Sequence, residues 1–472
     1  MSADLLIRGG KVVSAEGAFD ADVAIQGEKI VAVGTGLEGS RVIDAAGKFV
    51  IPGVIDSHVH FRVPGYEHKE DWQTGTGAAA RGGVTTVLEM PNTNPPTGTL
   101  EALKIKQDIA ARQAYVDYGI YGLLDENNLD QLEALACAGV SGFKCFMGNT
   151  FGDLPAPSDG AMLEGFEIIA GLGLRCTVHA ENASIMARRQ GRLEAAGRTD
   201  ALAHLASRPE VCAIEAVSRA VIFAEWTGAR LHIAHKSSKD ALYVLADAKR
   251  RGVDVTVETC PQYLLLSTED HKRLGNVLRV NPPIREPGHQ EPLWEALRSG
   301  IIDMIATDHA PHLAEEKTRA SVWQCDCGFP GVETQMPLML TEMNRGRMTI
   351  SDYVRWACVN PAKAWGLFPN KGVIQPGADA DIVLIDAKRD ASIDQSQLFS
   401  RSKISPWHGR RVRGGPVLTM VRGRIVMDNG KLVAEPGWGK PARQKMPPPT
   451  PRNMDRTTAA ICAQRETIRK VS

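Results

Sequence analysis

Through the middle of the chain, short apolar runs alternate with longer stretches in which apolar residues return at every third or fourth position. This rhythm predicts β-strands separated by amphipathic helices. The strand candidates are VIDSHVHF, TTVLEM, YGIYG, GFKCFM, RCTVHAE, RLHIAHKS, DVTVETC and DMIATDHA. Helical fillers such as EALKIKQDIAARQA and KDALYVLADAKRRG place Leu, Ile and Ala on one face. Eight such units over roughly 300 residues predict an α/β fold of the (β/α)8 barrel type. The two ends read differently. Residues 4 to 50 break into short strands divided by turns, DLLIRGGKVV, ADVAIQGEKIVAVG and RVIDAAGKFVIPG, and the same texture returns in GVIQPGADADIVLIDA and PVLTMVRGRIVMDNGKLV. Neither half is long enough to bury a core alone, so together they predict one small β-sandwich domain assembled from both termini. The expected order is residues 1–52 for the first part of that domain, 53–368 for the barrel and 369–435 for the second part. Residues 436–472 form a Pro-rich, basic tail, expected to be extended or wrapped on a neighbouring subunit.

At 472 residues the chain has ample capacity for a large core. Its 55 Lys and Arg balance 55 Asp and Glu, so no whole-molecule field draws in nucleic acid or an anionic membrane surface. A small-molecule partner is expected, with no nucleic acid and no membrane. The opening MSADLLIRGGKVV has no leader pattern, and no apolar run reaches the length of a membrane span. Nine cysteines without paired spacing read as reduced thiols in a cytoplasmic protein. Cys325 and Cys327, one residue apart, lack the usual zinc spacing and read as ordinary thiols.

The unusual polar residues sit near the C-terminal ends of the predicted strands, where a barrel of this kind gathers its chemistry. In DSHVHFR, strand alternation puts His58, His60 and Arg62 on one face. A single buried histidine is most simply a hydrogen-bonded core residue; two in register form a chelate for a divalent cation. The same weighing applies to His179 in TVHAEN, to His235 in LHIAHKSS and to Asp308 in IATDHAPH. His235 is favoured over His232 because it lies nearer the strand end. Lys144, between Phe143 and Cys145, is a buried ammonium that bears a heavy desolvation cost or gives up its proton. One reading is a lysine snorkelling from a strand edge. The other is a neutral amine that adds carbon dioxide, becoming a carbamate able to bridge two metals.

These motifs, with PGVIDSHVHFRVPG, GGVTTVLEMPNTNPP, ETCPQYL, VNPPIRE and KGVIQPGADADIVLID, resemble the cyclic amidohydrolases of the amidohydrolase superfamily. That group contains dihydroorotases, allantoinases and hydantoinases/dihydropyrimidinases. The resemblance covers the chain up to about residue 440 and implies a metal-dependent enzyme that hydrolyses, or closes, a cyclic amide. It implies two divalent ions, usually Zn2+. His58, His60 and Asp308 would hold one and His179 and His235 the other, with carboxylated Lys144 and a hydroxide between them. Asp308 would also shuttle the proton to the leaving nitrogen. The family commonly forms dimers or tetramers, so a homo-oligomer is expected.

Within the group, Arg62 in HVHFR, Asn92 in MPNTNPP, Asn281 in NPPIR and His312 in TDHAPH resemble the dihydroorotase pattern. Arg62 and Asn92 would hold a ring carboxylate, with dihydroorotate or carbamoyl aspartate as substrate. GFKCFMG and KISPWHGRRV look more like allantoinases and hydantoinases, which makes allantoin or another cyclic ureide or imide the alternative. An inert scaffold homologue is a third reading, set well below these because the ligand set is complete. SVWQCDCGFPGVET lies where a substrate-covering loop would sit.

Overall fold

The computed structural model describes residues 3–152, 154–442 and 444. Five strands open the chain: β1 (Ala3–Val13), β2 (Ala18–Gln26), β3 (Lys29–Gly34), β4 (Gly39–Asp44) and β5 (Phe49–Pro52). Eight more follow: β6 (Val54–Val59), β7 (Val84–Glu89), β8 (Asp117–Leu124), β9 (Gly142–Phe146), β10 (Arg175–His179), β11 (Arg230–Ile233), β12 (Val255–Thr259) and β13 (Met304–Ile305). The last four are β14 (Ile382–Ser392), β15 (Arg411–Val421), β16 (Arg424–Asp428) and β17 (Lys431–Leu432).

Strands β6 to β13 pair in chain order, all parallel. A bridge between Val59 and His309 joins the last element to the first, with the His60 N–H donating to the His309 carbonyl at 2.8 Å. The ring is a (β/α)8 barrel. Each of the eight apolar runs of the sequence supplies one of its strands, and helices such as Leu100–Gln113 and Glu210–Thr227 cover the outside. Strands enclosed on both faces must be apolar almost throughout, and β6, β7 and β8 are buried at every position. The polar residues carried by such strands are therefore there for chemistry or for one another.

The terminal strands unite in one nine-stranded sheet ordered β17-β16-β15-β14-β5-β1-β2-β3, with β4 also alongside β1. Its centre is the antiparallel contact of β5 with β14, 330 residues later, through which Val50 meets Leu384 and Ile51 meets Val383. Leu5, Ile7, Val23, Val50, Ile382 and Met420 form a core of its own, separate from the barrel's.

The start of the tail docks on its own chain. The Gly439 N–H donates to the Ala114 carbonyl at 2.9 Å, the Tyr118 N–H to Lys440 at 3.0 Å and the Ala442 N–H to Tyr118 at 2.7 Å. The rest of the tail lies outside the described residues. Among those described, eight cysteines are free and no helix is long and apolar enough to cross a membrane.

Candidate metal centre and active site

The C-terminal ends of the barrel strands enclose one cavity, lined by His58, His60, Arg62, Asn92, Lys144, Phe151, His179, His235, Asn281 and Asp308 among others. His58 lies in β6, Lys144 in β9 and His179 at the end of β10; the remainder stand on the loops just beyond. Three of them have left-handed backbone, Arg62 with φ 68°, His235 with φ 36° and Asp308 with φ 50°. For residues with a Cβ this conformation costs about 1 kcal/mol or more each, and such strain persists where the surroundings over-determine it, as at active sites.

Hydrogen bonds set the histidine tautomers. His58 Nδ1 donates to Glu258 Oε1 at 2.5 Å, and His60 Nδ1 donates to Asn92 Oδ1 at 2.7 Å. The Nε2 lone pairs that remain point at Asp308 Oδ1, 3.4 Å from His58 and 3.2 Å from His60. On the other side His179 Nε2 donates to Glu181 Oε2 at 3.0 Å, which leaves its Nδ1 facing His235 Nε2 at 2.9 Å. Burial, with the surrounding positive charges, lowers all four imidazoles, His58 to about 4, so that they are neutral and their lone pairs available.

Two lone pairs aimed at a carboxylate oxygen repel it unless a cation or a proton lies among them. In keeping with this, burial pushes Asp308 well above the usual carboxylate range. His58, His60 and Asp308 bring their ligand atoms within 4.8 Å of one another. Lys144 Nζ, fully buried, has no hydrogen-bond partner, and neither has His235 Nδ1. Burial lowers the Lys144 amine to about 8, within reach of the neutral form that reacts with carbon dioxide. The donor set fits divalent cations.

Glu258 is the residue sequence reading missed. Besides His58, its carboxylate accepts from Ser57 Oγ at 2.9 Å, from His232 Nε2 at 3.1 Å and from the His235 N–H at 3.1 Å. Burial alone would raise it, yet His58 and His232 hold it well below the usual range. His232 is thus a support for Glu258, packed 4.8 Å from the Trp365 ring. Glu181, anchored by Arg208, supports His179 in the same way. Glu181 follows His179 by two positions, just beyond the end of β10, a signal the sequence did contain.

The four residues read as substrate binders, Arg62, Asn92, Asn281 and His312, all have partners within the protein. Asn92 Oδ1 is engaged by His60, and Asn281 Oδ1 accepts from His204 Nε2 at 2.8 Å. His312 does not line the cavity but stands behind Arg62, whose Nη2 donates to its Nε2 at 3.0 Å. Arg62 Nε reaches the Pro311 carbonyl at 3.3 Å, while the buried Nη1 has no partner.

Barrel strands that raise a cluster of neutral imidazoles, a carboxylate and a lone lysine into one cavity define a hydrolase of the metal-centred barrel class. Residues 49–426 match the model of the amidohydrolase family, and the chain belongs to that family. It is 38% identical over 445 residues to an L-hydantoinase of Paenarthrobacter aurescens, covering 93% of this chain and 97% of that protein. It is 39% identical over 453 residues to an allantoinase of Rubrobacter xylanophilus, covering 94% and 99%. The solved structure of an L-hydantoinase (dihydropyrimidinase) from Arthrobacter aurescens superposes with a TM-score of 0.91 at 38% identity, covering 93% of this chain and 100% of that one. The chain is a cyclic amidohydrolase, and these relatives favour the hydantoinase and allantoinase side of the group over dihydroorotase.

Proposed function

We propose that this enzyme opens the ring of a neutral five-membered cyclic ureide, a hydantoin bearing a carbonyl-containing substituent as in allantoin. Water adds to a ring carbonyl, the ring C–N bond breaks, and the products are a carboxylate and a free ureido N–H. The observation that carries this choice is the state of Arg62. Arg62 and Lys69 face Glu316 and Asp326, two cations against two carboxylates, with Lys69 Nζ 2.7 Å from each acid. The guanidinium edge formed by Nε and Nη2 is already bonded to Pro311 and His312. A charge-compensated Arg62 with Nη1 to spare suits one neutral carbonyl oxygen, whereas a ring carboxylate would bring an unbalanced charge into a buried site. The relatives named L-hydantoinase and allantoinase support the same reading.

His58, His60 and Asp308 would hold one divalent ion and His179 and His235 a second, Zn2+ being the ion suited to such ligands, with Lys144 as a carbamate between them. When bound, the ions polarise the ring carbonyl and make water nucleophilic at neutral pH. Glu258, Asn92 and Glu181 keep the bare nitrogens of His58, His60 and His179 turned inward. Asp308 accepts the proton of the attacking water and delivers it to the departing ring nitrogen. Arg62 orients the substituent.

Replacing Arg62 by Met tests the reading. It is expected to lower kcat/KM for allantoin by about ten- to a hundredfold, the worth of one hydrogen bond from a charged donor, and to leave unsubstituted hydantoin nearly unchanged. An equal loss on both rings would contradict the assignment.

A further inference from the structure

His312 has two ways to be satisfied, and they are mutually exclusive. Its Nδ1 lies 3.1 Å from Asp326 Oδ2, an acceptor, and 3.1 Å from Lys69 Nζ, a donor. Its Nε2 lies 3.0 Å from Arg62 Nη2, a donor, and 3.1 Å from the Cys327 carbonyl, an acceptor. A neutral imidazole carries one N–H and one lone pair. With the hydrogen on Nδ1, the ring donates to Asp326 and accepts from Arg62, both charged partners, and the Lys69 ammonium it then faces has its own acceptors in Glu316 and Asp326 at 2.7 Å. With the hydrogen on Nε2, it accepts from Lys69 and donates to a neutral carbonyl, and its N–H then faces the N–H of Arg62. Lys69 is already paired with Glu316 and Asp326, so the first arrangement wastes less.

We propose that Asp326 is a positioning residue for substrate selection: by accepting from His312 Nδ1 it fixes the tautomer that holds Arg62 Nη2, and so turns Arg62 Nη1 toward the ring substituent. The loop beyond β13, which contributes Cys327 to the cavity lining, thereby reads back onto Arg62. Asp326 belongs to the segment between Pro311 and Phe329, which Lys317 and Arg279 fasten from beneath. Lys317 Nζ donates to the Arg279 carbonyl at 2.6 Å and to the Asp326 carbonyl at 2.9 Å, while Arg279 donates to the carbonyls of Val322 and Cys325. The Phe151 ring lies 4.3 Å from the Arg62 guanidinium and 5.0 Å from the His312 ring, closing the third side. Glu316 Oε2, 3.8 Å from His312 Nδ1, is too far to replace Asp326.

This inference rests on Arg62 meeting the substituent, so its test has one arm that needs no substrate. In metal-loaded protein with histidine-selective 15N labelling, the His312 signals are identified by their loss in His312→Gln. Wild type should show Nδ1 protonated and Nε2 bare, and Asp326→Ala should move the hydrogen toward Nε2. The second arm is the ratio of kcat/KM for allantoin over unsubstituted hydantoin, in which general damage to the fold cancels. Asp326→Ala should lower that ratio by about ten- to a hundredfold. Lys69→Met, which breaks the same loop ion pairs but leaves the Asp326–His312–Arg62 chain, should keep it within about twofold. Wild type protonated on Nε2 would overturn the proposal, as would an unchanged ratio in Asp326→Ala or an equal fall in Lys69→Met. If Arg62→Met leaves the ratio untouched, the substrate reading itself falls. The relay then stands or falls on the tautomer.

Discussion

Lys144 shows how far a single residue can be read. In GFKCFM its neighbours are apolar, and burial follows from that alone; the structure adds that Nζ has no hydrogen-bond partner inside the histidine cluster, with Glu258 and Asp308 the nearby carboxylates that act on it. Lys144→Ala is expected to abolish turnover and metal retention, with short-chain carboxylic acids in the medium restoring part of the rate. Wild-type turnover by Lys144→Ala without added acid would show that this amine is not needed. Asp308→Asn should keep much of its metal yet lose several orders of magnitude in kcat, because an amide oxygen ligates but accepts no proton; metal analysis beside kinetics separates the two roles. That His58, His60, His179, His235 and Asp308 would meet in one cavity was legible because each lies at or just beyond the end of an apolar strand run. Glu258 was not, because a carboxylate in VTVET reads as an exposed strand residue until the barrel closes and brings His58 to it from 200 positions away. The Arg62–His312 pairing, across 250 positions, was hidden for the same reason, and its absence from the sequence reading is what made a carboxylate clamp look natural.

At the level of elements, periodicity found every barrel strand, since apolar runs flanked by turn residues have few other uses in a chain of this length. It overestimated the last. DMIATDHA shortens to Met304–Ile305 because Thr307 is drawn off to Asp56, donating through its N–H at 3.1 Å and through Oγ1 at 2.5 Å, and Asp308 then takes left-handed backbone. At the start of the tail, Trp438 adds a side-chain anchor to the backbone bonds of residues 439–442. The Trp438 ring has Arg422, Arg424 and Lys440 at 4.8, 5.0 and 5.6 Å, and Nε1 donates to the Val421 carbonyl at 2.9 Å. Composition shows a basic, proline-rich stretch and cannot show which cations share a ring. Trp438→Ala should destabilise the protein by about 2 kcal/mol, from lost cation–π contacts and one hydrogen bond, without changing kcat. Thermal unfolding beside steady-state kinetics checks this, and a fall in kcat at full occupancy of the folded state would tie the tail to the active site.

The whole molecule joins a barrel to a sheet made from both chain ends, and that closure was visible in the matching textures of the termini. Acid should reveal its buried imidazoles. Burial, with Arg62 nearby, lowers His312 to about 4, and His204 also lies well below its usual value. Between about 4 and 6.5 the unfolded chain binds protons that the folded one refuses, so stability falls as pH drops through that window and is insensitive to these groups above it. The expected slope is about 1.4 kcal/mol per pH unit for each group, and His312→Gln should remove the share of one. An identical slope in that variant would contradict the assignment. The central claim is tested most directly by one comparison on metal-loaded wild type: kcat/KM for allantoin, hydantoin, dihydrouracil and dihydroorotate, measured side by side. Allantoin or a substituted hydantoin should lead, with dihydroorotate lowest of the four; preference for dihydroorotate would contradict the neutral-ring account and restore the carboxylate clamp.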